Sequence, residues 1–241
     1  SLIEATVDRP FAVITGVVAP LWGDAYQHTM IAQLLLDNGG LFSSWQPYEP
    51  YESLTVHFGF PLAVAQFAML TGTDILQATL LTGQILNGLA VCSVYPLALR
   101  LSAGNRWAAV IAVIIAGLLL PMPAFYVNWG RYAQLAGQVI MPLAAYLLIS
   151  LIEDEATYDL RRVGLVGGVL AGMAVTYYRM PFYLAMFVLA WLVCCWLWQW
   201  RGQMRRWWRA GVRLALVGAT TLCLLLPWVM RLATSTIIQF A

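Results

Sequence analysis

The chain has 241 residues, 61% of them hydrophobic and 10% charged, with a formal net charge of +2. Soluble domains carry roughly a quarter charged residues, so this composition excludes a water-soluble globule: lipid must cover most of the surface. All 13 basic residues are arginine.

The chain opens at Ser1 with no signal-peptide pattern and stops at Ala241 just after an apolar segment, the expectation for part of a longer protein. The run Phe11 to Trp22 is apolar but too short to span, and it is expected to be extended or irregular and outside the bilayer. Asp24 followed by Gln27 has the spacing of a capping box, and Asn38-Gly39-Gly40 is a good stop. Between them, Met30, Ile31, Leu34 and Leu35 form an apolar face, and Thr29, Gln33 and Asp37 a polar one, the pattern of an amphipathic helix lying at a membrane surface. Residues 41–56, with Trp45, Pro47, Tyr48, Glu49, Pro50, Tyr51 and Glu52, form an aromatic, acidic loop that belongs to an aqueous face.

A membrane-spanning helix needs about 20 apolar residues. On that criterion spans are expected near 57–73, 77–100, 107–127, 134–152, 163–179, 182–200 and 214–235. The fold class is therefore all-α: a polytopic transmembrane helical bundle of about seven spans (57–241) preceded by an extramembrane segment (1–56), the two forming a single domain. Gly164, Gly168 and Gly172 recur every four residues, as in a groove that admits a neighbouring helix. Cys92, Cys194, Cys195 and Cys223 lie within apolar segments and read as small helix residues.

Five arginines, Arg201, Arg205, Arg206, Arg209 and Arg213, crowd one stretch among Trp196, Trp198, Trp200, Trp207 and Trp208. Long apolar segments flank the stretch, which argues against a nucleic-acid partner. The positive-inside rule makes 201–213 a cytoplasmic loop with an interfacial tryptophan belt. Counting spans backwards puts 179–182 and 127–134 outside, but residues 24–56 inside. A re-entrant or broken helix within 57–100 would reverse that last assignment.

Ionisable groups at membrane depth are costly and ask for a reason. Asp24 and His28, four apart, share a helix face; together they can position a hydroxyl, take its proton or bind a divalent ion, or simply cap a helix and sit at an interface. His57 heads the first expected span and, with Asp24 and His28, makes a possible two-histidine, one-carboxylate metal set. Arg131, in Asn128-Trp129-Gly130-Arg131-Tyr132, suits a phosphate, with Trp129 and Tyr132 able to stack on a sugar; an interfacial turn with a snorkelling arginine is the alternative. Arg179, before Pro181, is a second such cation.

The order of these features resembles the GT-C glycosyltransferases, polytopic membrane enzymes that use polyprenyl-phosphate-linked sugars. Gly23-Asp24-Ala25-Tyr26-Gln27-His28 looks like the acidic motif of that family's first extramembrane loop, and residues 29–61 follow the family's order of surface helix, aromatic Pro-containing loop and His-Gly-Phe-like span start. Asn128-Trp129-Gly130-Arg131-Tyr132 is similar to a Trp-Gly-x-Tyr segment of bacterial members. The resemblance, over about residues 10–180, implies that Asp24 is the catalytic base or positions the acceptor hydroxyl, with His28 beside it. It implies that Arg131 and Arg179 hold the lipid phosphate, and that Trp45, Tyr48 and Trp129 line the sugar site. Membrane lipid and a polyprenyl-phosphate sugar donor are the implied partners, in a bacterial plasma membrane, with a divalent ion required in some members only. A transporter and a non-catalytic subunit of a membrane complex are the competing readings; no internal repeat of the transporter kind is present.

Overall fold

The computed structural model describes residues 23–50, 57–154 and 159–240, with side chains through residue 234. The expected extended segment at Phe11–Trp22, and Tyr51 and Glu52 of the aromatic loop, lie outside the described residues. Among the described residues every regular element is helical.

Helix α1 (Gly23–Asp37) ends where Gly39 adopts φ 63°, a left-handed turn that a side chain resists. Asp24 sits in its first turn rather than at its cap, because the helix already includes Gly23. The apolar face of α1 meets protein: Ile31, Leu34 and Leu35 pack with Phe42, Trp45 and Ala65 in a small core. Thr29, expected on the polar face, is buried; its hydroxyl donates to the Ala25 carbonyl at 2.8 Å and meets Thr79 Oγ1 at 3.1 Å.

Helix α2 (Gly59–Thr71) has 13 residues, about 20 Å of helix, too short for a hydrocarbon layer of about 30 Å. It stops at Gly72, whose φ of 70° turns the chain directly into α3 (Ile75–Leu101). Helix α4 (Arg106–Ile114) continues through a π-helical turn (Ile115–Leu119) to the short α5 (Ala124–Asn128), and α6 (Tyr132–Glu153) follows. Helices α7 (Leu160–Thr176), α8 (Met180–Trp198) and α9 (Met204–Phe240) complete the bundle. Five segments are long and apolar enough to cross a membrane: Ile75–Leu101, Arg106–Asn128, Tyr132–Glu153, Met180–Trp198 and Met204–Thr234. Of the two other expected spans, 57–73 is the short α2, and 163–179 is α7, with 17 residues.

The main core lies where α6 packs against α3, α7 and α8, around Leu135, Ala144, Leu148, Val166, Met173 and Leu184. The outer faces carry exposed Leu118, Phe182, Met186, Leu189 and Leu222, an apolar exterior suited to lipid. Two expectations change. The arginine stretch is helical from Met204, so only Arg201 stays in the preceding turn, arginine being a good helix former. Gly164, Gly168 and Gly172 have open space at their Cβ positions; the close helix contact is made by Gly167, where a Cβ would lie 2.7 Å from Thr220 Cγ2.

The start of α2 is tied to the end of α7. The Phe58 N–H donates to the Val175 carbonyl at 3.0 Å, and a Cβ on Gly59 would lie 2.8 Å from the Thr176 Cα. Gly59→Ala should therefore lower stability by about 1–3 kcal/mol, the range for overpacking a filled site. Gly164→Ala, which meets nothing, should be neutral or better. Thermal unfolding of both variants in one detergent checks the pair.

Candidate functional site

A polar cleft of about 230 Å³ opens at the end of the bundle where α6 begins and α7 passes into α8. Four segments of the chain build it. Helix α1 supplies Asp24, Gln27 and His28, and the residue pair before α2 supplies His57. The start of α6 supplies Arg131 and Gln134, and the α7–α8 junction supplies Tyr177, Tyr178 and Arg179.

Local chemistry explains how each segment arrives. Gly130 has φ 64°, and a Cβ there would lie 2.7 Å from the Ala25 Cβ, so only glycine lets the turn before α6 touch α1. That approach sets Arg131 beside Asp24, with Nε 3.5 Å from Oδ2. Both side chains are substantially exposed, so the pair adds little to stability. The Arg131 guanidinium also lies 4.7 Å over the Trp129 ring, and Trp129 packs on Phe125 at 4.2 Å between centroids. A guanidinium has five N–H donors, so these contacts leave Arg131 with donors for an anion. Arg179 donates from Nε to the Tyr178 hydroxyl at 2.9 Å, which holds its fork at the rim. Gln134 Nε2 donates to the Tyr177 hydroxyl at 2.5 Å, joining α6 to the α7–α8 junction.

The histidines form the back wall. His28 is 6% exposed and packs edge-on against Phe60 at 5.4 Å and His57 at 5.9 Å. Its Nδ1 has no hydrogen-bond partner among the described residues. Burial, and secondarily the neighbouring His57, push its pKa down to about 3, so the ring is neutral at physiological pH. Burial also lowers His57, with the Asp24 carboxylate opposing the shift.

Asp24, His28, His57, Arg131 and Arg179 thus share one cleft. Trp129 borders it through Arg131. Tyr132 does not join them: it is 1% exposed, stacked on Phe60 at 5.3 Å, with its ring filling the space above Gly83. Residue 132 is the first of α6 and turns inward, one position after Arg131 turns outward. Trp45 is buried against Phe42 in the small core, and Tyr48 is exposed with its hydroxyl 3.5 Å from Asp37, so neither lines the cleft. Gln27, Gln134, Tyr177 and Tyr178 are cleft residues that the sequence reading did not single out as site residues, Gln27 being read only as part of a helix cap. Each lies within three residues of one that it did, and that adjacency is the available signal. Among the described residues no group of three or more His, Cys, Asp or Glu side chains is arranged to hold a metal ion, so the Asp24–His28–His57 set does not fit one.

Residues 22–240 match a protein family described as a family of unknown function (DUF6541). No curated protein and no solved structure matches the chain.

The neutral His28 links stability to pH. Its folded pKa of about 3 lies below the ordinary 6.5, so between those values the unfolded chain binds a proton that the folded one does not. Stability should fall as pH falls through that window, by up to about 1.4 kcal/mol per unit from this group. In His28→Asn the slope should be shallower by up to one proton, measured as melting temperature against pH. An unchanged slope would contradict a buried neutral imidazole.

Proposed function

The chain belongs to the DUF6541 family, and we propose that it is an integral membrane glycosyltransferase module of the GT-C type, moving a sugar from a polyprenyl-phosphate donor to a hydroxyl acceptor. The observation that carries this reading is the meeting of Asp24 and Arg131 at 3.5 Å in a cleft that also holds Arg179. A carboxylate paired with one guanidinium, with a second guanidinium in the same cleft, is a set that this transfer can use.

The acceptor oxygen attacks the anomeric carbon of the sugar, and the bond from that carbon to the phosphate oxygen breaks. The electron pair leaves with the lipid phosphate, and the hydroxyl proton passes to the Asp24 carboxylate. Negative charge grows on the phosphate as the bond breaks, and Arg131 and Arg179 offer fixed donors where it grows. Arg131 can turn its unused N–H groups to the phosphate while its Nε faces Asp24. His28, neutral and buried, forms the wall of the cleft behind Asp24.

The short α2 supports the same reading. If residues 59–71 do not cross the bilayer, Asp24 and His57 lie on the same side as 127–134 and 179–182, which is the arrangement the cleft has. In this reading α7 crosses with the five longer segments, the arginine-rich start of α9 is cytoplasmic and the cleft opens on the other face of a bacterial plasma membrane.

Membranes containing the full-length protein should release polyprenyl phosphate from at least one donor in a panel of lipid-phosphate sugars. Asp24→Asn should lower that release by about a hundredfold or more, the usual contribution of a general base. Arg131→Gln should lower kcat more than it raises KM, since its contribution grows in the transition state. Release that is unaffected by Asp24→Asn in a folded protein would sink the assignment.

A further inference from the structure

The Asp24 cleft has a wall that phosphate binding and proton transfer leave unused. The charged groups Asp24, Arg131 and Arg179 are exposed or stand at the rim. Behind them the rings of His28, His57 and Tyr177 follow one another edge-on, with centroids 5.9 Å and 5.5 Å apart, and Gln134 joins Tyr177. His28 and Tyr177 are 6% and 7% exposed, and both line the cleft.

Two polar atoms of this wall have no hydrogen-bond partner among the described residues. His28 Nδ1 is one. Gln134 Oε1 is the other: the amide donates from Nε2 to the Tyr177 hydroxyl at 2.5 Å, which leaves the carbonyl oxygen unmatched. Because Tyr177 accepts that bond, its own hydroxyl proton is left to give. Buried polar atoms are nearly always matched. Two unmatched ones on side chains that line the same cleft point to a ligand that matches them.

The chemistry of these groups says which part of a ligand reaches them. An amide oxygen only accepts hydrogen bonds, and an ionised phosphate or carboxylate has no proton to give it. A hydroxyl both donates and accepts, so it matches the amide oxygen, the phenol and either nitrogen of a neutral imidazole. The His28 ring is neutral at physiological pH. The cleft volume of about 230 Å³ lies below the range of about 300–1,000 Å³ for drug-sized ligands, and suits one sugar ring better than several. Trp45 and Tyr48, the aromatic residues expected at a sugar site, stand outside the cleft.

We infer that this wall binds hydroxyl groups of the donor's sugar ring, with His28 and Gln134 as the residues that read them, while the phosphate stays with Arg131 and Arg179 at the mouth. Under the glycosyl-transfer reading of the cleft, on which this rests, the sugar points inward and its leaving group outward.

The full chain, purified in a neutral detergent, is titrated with polyprenyl phosphate and with polyprenyl-phosphate hexoses and pentoses, and retention of each is read by native mass spectrometry. At least one sugar-bearing lipid should be held about fivefold or more tighter than the bare lipid phosphate, the contribution of one or two neutral hydrogen bonds. His28→Phe and Gln134→Leu, which keep bulk and lose the hydrogen-bonding group, should each weaken that lipid about fivefold and leave bare polyprenyl phosphate unchanged. His28→Asn, which keeps such a group, should retain part of the preference. A residue that only shaped the wall would weaken both kinds of lipid alike, and that result overturns the proposal. So does equal retention of bare and sugar-bearing lipids by the unaltered protein, or an undiminished preference in both His28→Phe and Gln134→Leu. In either case, release of polyprenyl phosphate that still depends on Asp24 leaves the transferase reading standing. Retention of neither kind of lipid overturns both.

Discussion

An apolar exterior leaves polar side chains few places to go, and that restriction organises this protein. Five segments present long apolar surfaces, and within a hydrocarbon layer an unpaired polar group costs several kcal/mol. The ion pairs accordingly gather at the two ends of the bundle. Arg100–Glu153 and Arg162–Asp154 stand at one end with Arg213, and Arg131–Asp24 stands at the other. Chemistry is confined to the places where helices start and stop.

The two ends differ in kind. At the Asp24 end the carboxylate and both guanidiniums are exposed or lie at a rim, and neutral rings form the wall behind them. That arrangement admits a polar ligand and keeps charge at the mouth. At the arginine end Glu153 pairs with Arg100 and Asp154 with Arg162, and the Arg213 guanidinium is buried against the last carbonyls of α6.

Side chains without mass do much of the assembly. Gly130 lets α1 touch the turn before α6, Gly59 lets α2 start against Thr176, and Gly83 makes room for the Tyr132 ring. The Thr29–Thr79 hydrogen bond then ties α1 to α3 without placing a charge in the interior. The result is that α1, apolar enough on one face to lie on a membrane, covers protein instead.

The amino-acid sequence by itself determined the helical class and the existence of the five long apolar helices. These follow from local composition: about 20 apolar residues make a span whatever their neighbours are. The candidacy of Asp24, His57, Arg131 and Arg179 was also legible, though not their meeting in one cleft. The tertiary structure alone decided that Tyr132 faces the core while Arg131 faces out, because one residue of helix turns a side chain by about 100° and the neighbouring helix chooses which is buried. It decided that Gly167, and not the regular Gly164–Gly168–Gly172 row, meets α9, since spacing defines a face but not its partner. It decided, finally, that α2 ends at Gly72 after 13 residues, and that Asp24 and His57 stand in one cleft with Arg131 and Arg179. A count of apolar residues bounds the length of a helix but not its neighbours, and the place of α2 between α1 and α3 is set by packing.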